Sequence, residues 1–415
     1  MKARYFIILL TFVFVMQAIL PSAVSATTPK VDAASAMLVD VTTGQVLFAK
    51  QEDSMLQPAS ITKLMTVFLT REAIEAGKLS WKQEITPSDA ALALTRKPGL
   101  ARIPLLNKPY TVKELYDAAL IRSANEAAVT LAEAVSGSEE AFVKEMNRRA
   151  DELEMTQTTF ANASGLDSES AGLPGDNLTS AKDLMKLAIA FLSTYPEVLD
   201  VTKRTYVDVD GVRFDATNRM LTGRDLAYPG MLGFKTGTTN EAGYCFVGVS
   251  TRDGRTVLSV VLGATSDEGR YAATKALHDY AYTDFVMTPI LRTGETVSKM
   301  ASVSKGEEEH VEVRTTNDFE VLVEKGKPVP EVKVELLDLK APVKMDTQAG
   351  VVTIDSSEHV RYLEGEVPPK VTLVTADSID TASFLTRITR AFLDFLDQIR
   401  LALGKISLVE QEQML

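Results

Sequence analysis

The chain has 415 residues, with 44 lysines and arginines against 56 aspartates and glutamates, for a formal net charge of −12. That balance argues against a nucleic-acid binder, which would carry a basic face. One cysteine, Cys245, excludes an intramolecular disulfide, and without clustered Cys/His ligands no metal or other cofactor is expected.

The length predicts more than one domain, since single cores stop growing at about 250–300 residues. Only three histidines exist, His278, His310 and His359, and none lies near a G-x-S-x-G. A hydrolase built on this chain is therefore expected to use lysine as its base.

In chain order, the first 26 residues read as a secretory signal. Lys2 and Arg4 precede an apolar run over residues 6–20, Pro21 breaks it, and Val24-Ser25-Ala26 offers a cleavage site. The alternative is an uncleaved anchor. Either way the remainder is expected to work outside the cytoplasm. Residues 35–51 read as strand, turn at Thr43-Gly44, strand. Pro58 then opens a predicted helix over residues 61–76, stopped by Gly77.

Residues 111–135 form a second helical stretch, entered through the capping box Thr111-Val112-Lys113-Glu114. Residues 139–153 and 180–193 are helical in pattern, and residues 160–178 between them read as a loop rich in Gly, Ser, Asp and Pro. Within 233–264 a hairpin is expected, turning at Arg252-Asp253-Gly254-Arg255, followed by a helix over residues 270–285. The first domain is thus predicted as α+β, an antiparallel sheet interleaved with helices.

After Pro289 short alternating runs such as Val332-Lys333-Val334-Glu335-Leu336, punctuated by prolines, predict a small all-β domain over 289–378. The last segment, 379–415, returns to helix. Leu385, Ile388, Phe392, Phe395, Ile399, Leu403 and Ile406 share one face by their spacing.

Three strings within this frame carry chemistry: Ser60-Ile61-Thr62-Lys63, Ser123-Ala124-Asn125 and Lys235-Thr236-Gly237. Each alone has a plain explanation: Ser60 as a helix N-cap, Ser123 to Asn125 as helix surface, Lys235 to Gly237 as a solvated strand entry. Together, in this order, they match the pattern of active-site serine enzymes that react with β-lactams. A helix puts Ser60 and Lys63 on one face, about a turn apart. A serine hydroxyl needs a neighbour to take its proton. Lys63 can do so only when neutral, a form favoured by burial and by a second cation such as Lys235. Ser123 can relay a proton, and Asn125 can hold Lys63 and a substrate amide. Thr236 supplies a hydroxyl, and Gly237 permits close backbone approach.

The chain resembles the low-molecular-mass penicillin-binding proteins of the serine D-alanyl-D-alanine carboxypeptidase family. The likeness extends over residues 58–66, Phe160 to Leu166, Ser180 to Leu184 and Gly233 to Thr239, followed by Ala242-Gly243-Tyr244. It implies a penicillin-recognising, transpeptidase-like fold: an antiparallel sheet flanked by helices, with a helical subdomain. It also implies a catalytic domain over residues 27–288. Ser60 would attack the bond between two terminal D-alanines of a peptidoglycan stem pentapeptide, and penicillins would acylate the same serine.

The resemblance gives the oxyanion hole to the backbone N–H groups of Ser60 and Thr238. Arg270 is similar to an arginine that helps hold the terminal carboxylate, with an ordinary helix-start arginine as the equal alternative. One departure is visible. Many relatives carry a histidine before the Ser180 segment, where this chain has Asp176-Asn177-Leu178-Thr179. The C-terminal helix resembles an amphipathic membrane anchor; packing on the β domain is the other reading. The competing functions are a β-lactamase, a D,D-endopeptidase, or a non-catalytic penicillin- or cell-wall-binding protein.

Overall fold

The computed structural model describes residues 28–97, 103–354, 360–363 and 369–412. The expected signal segment lies outside the described residues. The chain divides into two compact units. One comprises Met1–Val286 with Glu324–Gly326 and Val360–Glu364, and the other comprises Met287–Val323, Lys327–His359 and Gly365–Leu415.

The first unit is built on a six-stranded antiparallel sheet. Its strand order is Arg361–Tyr362, Gln45–Lys50, Ser35–Asp40, Arg255–Ala264, Gly243–Arg252 and Met231–Thr239. The last three form a meander, so the segment expected as one hairpin gains a third strand. That strand, Met231–Thr239, lies at the sheet edge and carries Lys235.

The helix Asp267–Thr283, capped by the Ser266 hydroxyl, packs on strands Gly243–Arg252 and Arg255–Ala264. Between helix and sheet His278 is fully buried, bonded to Ser250 Oγ at 2.6 Å and Ser259 Oγ at 2.9 Å.

The helix Lys63–Glu75 is the centre of the unit, with every side chain from Lys63 to Thr70 buried. Such all-round burial fits a helix inside a core rather than on a surface. Phe68 packs against Phe191 at 5.1 Å and Tyr195 at 5.9 Å, and Phe191 packs against Phe234 at 5.5 Å. This aromatic chain links the central helix to the helix Ala181–Thr194 and to the residue before Lys235.

The stretch expected as one helix over 111–135 is broken. The capping box forms as predicted, with Thr111 Oγ1 and the Glu114 carboxylate each closing on the other's backbone N–H. The helix Val112–Asp117 then widens into a π-type turn, Ala118–Arg122. Ser123 adopts a left-handed conformation (φ +66°), and a new helix runs Asn125–Ser136. Ala124 N–H bonds back to the Ala118 carbonyl at 3.1 Å. π-type turns of this kind concentrate at functional sites.

The second unit contains a six-stranded sheet in the order Val332–Leu336, Gln348–Ile354, Lys370–Thr375, His310–Thr315, Thr296–Ser304 and Leu339–Lys340. It ends in the helix Phe384–Glu412. Arg390 docks that helix on its own unit, donating to the carbonyls of Gly306 and Glu307, both at 2.7 Å, and pairing with Glu309 at 3.1 Å. The apolar face points away: Phe384, Leu385, Ile388, Phe392, Phe395 and Ile399 are all exposed. Among the described residues no helix is long and apolar enough to cross a membrane.

Candidate active site

Ser60 sits in a single 3-10 turn, Ala59–Thr62, that feeds directly into the helix Lys63–Glu75. It is not an N-cap; that position belongs to Pro58, and no side chain caps the turn. Ser60 is half-buried, whereas Lys63 is fully buried.

Lys63 Nζ donates to Ser60 Oγ at 2.9 Å, to Asn125 Oδ1 at 2.7 Å and to the Ser164 carbonyl at 2.5 Å. Across the cleft, Lys235 Nζ donates to Ser123 Oγ at 2.9 Å and to the Thr236 carbonyl at 2.8 Å. Three segments far apart in sequence therefore meet through two lysine side-chain nitrogens. Ser60 and Lys63 come from the central helix start, Ser123 and Asn125 from the broken helix, and Lys235 from the edge strand.

Two glycines make these approaches possible. A Cβ on Gly237 would lie 2.6 Å from the Pro58 carbonyl oxygen and 3.0 Å from Ile61 Cγ1. The space left by its missing side chain is filled by the turn that carries Ser60. Gly165, at φ +80°, lies still closer: its Cβ would fall 1.9 Å from the Ala59 carbonyl oxygen. Ala59 itself has φ +48°, a region that costs a non-glycine residue energy and persists only where surroundings enforce it.

Thr238 and Arg270 form one cluster. Arg270 Nη1 donates to the Gly237 carbonyl and to Thr238 Oγ1, both at 2.9 Å, and to the Cys245 carbonyl at 3.3 Å. Its other terminal nitrogen pairs with Asp267. Arg270 is buried and Thr238 exposed, so the threonine hydroxyl stands between the guanidinium and the open side of the strand. Cys245 behind this strand is buried, and burial pushes its thiol up to about 11, away from reactive thiolate chemistry. His278, about two turns further along the helix that carries Arg270, belongs to the core, and burial pushes its imidazole down to about 3.

Several supporting residues were not singled out by sequence. Asn162 is fully buried; its Oδ1 accepts from Ser164 N at 3.1 Å and Gly165 N at 2.7 Å, shaping the turn that presents the Ser164 carbonyl to Lys63. Ala163 is fixed from both sides, its N–H by Glu139 at 2.9 Å and its carbonyl by Thr66 at 2.6 Å. Asn177 stands in the segment where the family resemblance led to an expected histidine. It ties this loop to the turn that carries Ser60, donating to Thr62 Oγ1 at 2.9 Å and accepting from Ala161 N at 2.6 Å. The Asn162-to-Leu166 run carries the one local signal available, an Asn able to bond its own backbone two and three residues on.

A half-buried serine bonded to a buried lysine at a helix start, beside a sheet edge, is an arrangement expected of a serine hydrolase. The comparisons give the family. A family model described as D-alanyl-D-alanine carboxypeptidase matches residues 22–266, and one described as penicillin-binding protein 5, C-terminal domain, matches residues 285–381. D-alanyl-D-alanine carboxypeptidase DacF of Bacillus subtilis is 32% identical over 372 residues, covering 88% of this chain and 90% of the relative. DacC of Escherichia coli is 30% identical, covering 87% of each chain.

Among solved structures, the peptidoglycan synthesis regulatory factor PBP3 of Streptococcus pneumoniae superimposes with TM-score 0.72 at 32% identity, over 85% of this chain and all of that one. Penicillin-binding protein D2 of Listeria monocytogenes, in its ampicillin-bound form, gives TM-score 0.55 at 35% identity over 62% of this chain and all of that one. The chain belongs to the D-alanyl-D-alanine carboxypeptidase family of low-molecular-mass penicillin-binding proteins. It is a serine-type carboxypeptidase, a hydrolase.

Proposed function

We propose that the reaction runs through an acyl-enzyme on Ser60. The observation that carries this is the 2.9 Å contact between Lys63 Nζ and Ser60 Oγ, with the amine fully buried. Burial removes the hydration that favours an ammonium ion, which suits Lys63 to accept the serine proton. Ser60 Oγ attacks the carbonyl of the penultimate D-alanine in a stem pentapeptide. The backbone N–H groups of Ser60 and Thr238 hold the oxyanion. Ser123, bonded to Lys235, passes a proton to the departing amine of the terminal D-alanine and regains one from Lys63, which returns to its neutral form. Water then cleaves the ester and restores Ser60.

In this reading Asn125 holds Lys63 and the substrate amide, while Gly237 lets the strand close on the nucleophile turn. The Lys235, Thr236 and Thr238 side chains bind the terminal carboxylate, and Arg270 sets the Thr238 hydroxyl and adds positive charge behind it. Penicillins acylate Ser60 in the substrate's place. Release of D-alanine from a stem pentapeptide tests the scheme: Ser60→Ala should abolish it, and unchanged release would overturn it.

The catalytic domain is assigned to residues 27–288, the β domain to 289–378 and the tail to 379–415, with export directed by residues 1–26. The tail helix lies on the outer surface of the bacterial cytoplasmic membrane. Its exposed Phe384, Leu385, Ile388, Phe392 and Phe395, opposite the docked Arg390, support that placement. Co-sedimentation with lipid vesicles should be lost when residues after Ser378 are removed. Retained sedimentation would defeat the anchor.

A further inference from the structure

Thr217 lies outside all three chemical strings, yet it contacts the segments of two of them and the helix of Arg270. Its N–H donates to the Ile121 carbonyl at 3.1 Å, in the π-type turn two residues before Ser123. Its carbonyl accepts from Tyr271 Oη at 2.9 Å, next to Arg270. Its hydroxyl lies 2.6 Å from the hydroxyl of Thr236. The backbone of Thr217 is therefore held at both polar groups, which leaves its side chain little choice of direction.

These contacts also define where Thr236 points. Lys235 reaches Ser123 directly, and Thr236 reaches Ile121 through Thr217. Lys235 therefore bonds the end of that turn directly, while Thr236 is tied to it through Thr217.

A threonine hydroxyl has one proton to give and lone pairs to offer. If Thr236 gave its proton to Thr217, it would present only lone pairs to a carboxylate and repel it. If Thr217 gives its proton to Thr236, the Thr236 proton is free to point at the ligand. Donation into an oxygen also polarises its O–H bond and strengthens the onward hydrogen bond.

We propose that Thr217 is a positioning residue for carboxylate recognition: its hydroxyl donates to Thr236 and turns the Thr236 proton toward the terminal carboxylate of the substrate. This rests on the reading that Thr236 binds that carboxylate. Thr217 thereby contributes to selection of peptides that end in a free carboxylate over those that end in an amide. The contribution is exerted in binding and acylation, while the proton transfers at Ser60 and Ser123 proceed without it.

The test compares two peptides, one ending in D-alanine and the other in D-alaninamide, on the full chain and on Thr217→Val, Thr217→Ser and Thr236→Val. Val matches Thr in shape and lacks the hydroxyl. Thr217→Val should lower kcat/KM for the carboxylate peptide about tenfold, the size of one lost hydrogen bond to a charged group, and leave the amide peptide unchanged. Thr217→Ser should restore the preference, and thermal melting should show all variants folded.

An equal loss on both peptides would make Thr217 a purely structural residue and overturn the proposal. An unchanged preference in Thr217→Val with a reduced one in Thr236→Val would overturn it alone. An unchanged preference in both would overturn it together with the carboxylate reading of Thr236.

Discussion

Lys235 Nζ donates to Ser123 Oγ at 2.9 Å across 112 residues of sequence, and both side chains are buried. This contact joins the sheet edge to the turn of the broken helix, and in the proposed scheme it orients the serine that relays the proton. Replacing Lys235 with Gln keeps a donor but removes the charge. Acylation by a labelled penicillin should slow by about 100-fold or more, since charged groups aimed at developing charge commonly contribute that much. An unaltered acylation rate would remove Lys235 from the machinery.

Gly165 packs against the turn that carries Ser60. An added Cβ would meet the Ala59 carbonyl at 1.9 Å, one residue before Ser60. Gly165→Ala is expected to shift the Ser60 turn and reduce acylation about 100-fold, the usual penalty for roughly an ångström of misplacement. Rapid-quench measurement of adduct formation checks this. A variant that acylates normally would show that the turn tolerates displacement.

Phe68 is fully buried at the junction of the central helix with Phe191 and Tyr195. Phe68→Ala should cost about 3–5 kcal/mol by urea unfolding, combining lost transfer energy with a residual cavity. A loss below about 1 kcal/mol would mean that the surrounding core collapses onto the space.

The His278 imidazole, pushed by burial down to about 3, gives stability a defined pH dependence. The unfolded chain binds a proton near pH 6.5 and the native chain does not, so stability is complete above that pH and falls as pH drops toward 3. Between pH 7.5 and 5 this one group should remove about 2 kcal/mol. His278→Gln should flatten that slope. Parallel slopes in the two proteins would show that His278 is not the group responsible.

The candidate site strings are legible because their spacing is local. Ser60 and Lys63 lie one turn apart, and Lys235 is followed directly by Thr236 and Gly237. The break at Ser123 is only partly legible: Ser123-Ala124-Asn125 reads as a place where helix begins to alternate with loop, but Ala118, Ala119, Leu120 and Ile121 continue an apolar helical pattern, and the π-type turn with its left-handed Ser123 is seen only in the structure. Thr217 and Asn177 were invisible for a different reason. Their contacts cross long stretches of chain, 115 residues between Asn177 and Thr62, and nothing in the intervening sequence encodes the meeting. The hairpin Tyr206–Val209 and Val212–Asp215 turns at Asp210-Gly211, a turn signal present in the sequence between two very short strands.

The central claim is that Ser60 is the nucleophile and that Lys63, 2.9 Å away, takes its proton. The direct measurement is peptide mapping by mass spectrometry after exposure to penicillin, in the native chain and in Lys63→Ala. The account predicts a single adduct on Ser60 in the native chain and none, over the same time, in Lys63→Ala. An adduct on another residue, or equal labelling of Ser60 without Lys63, would contradict it.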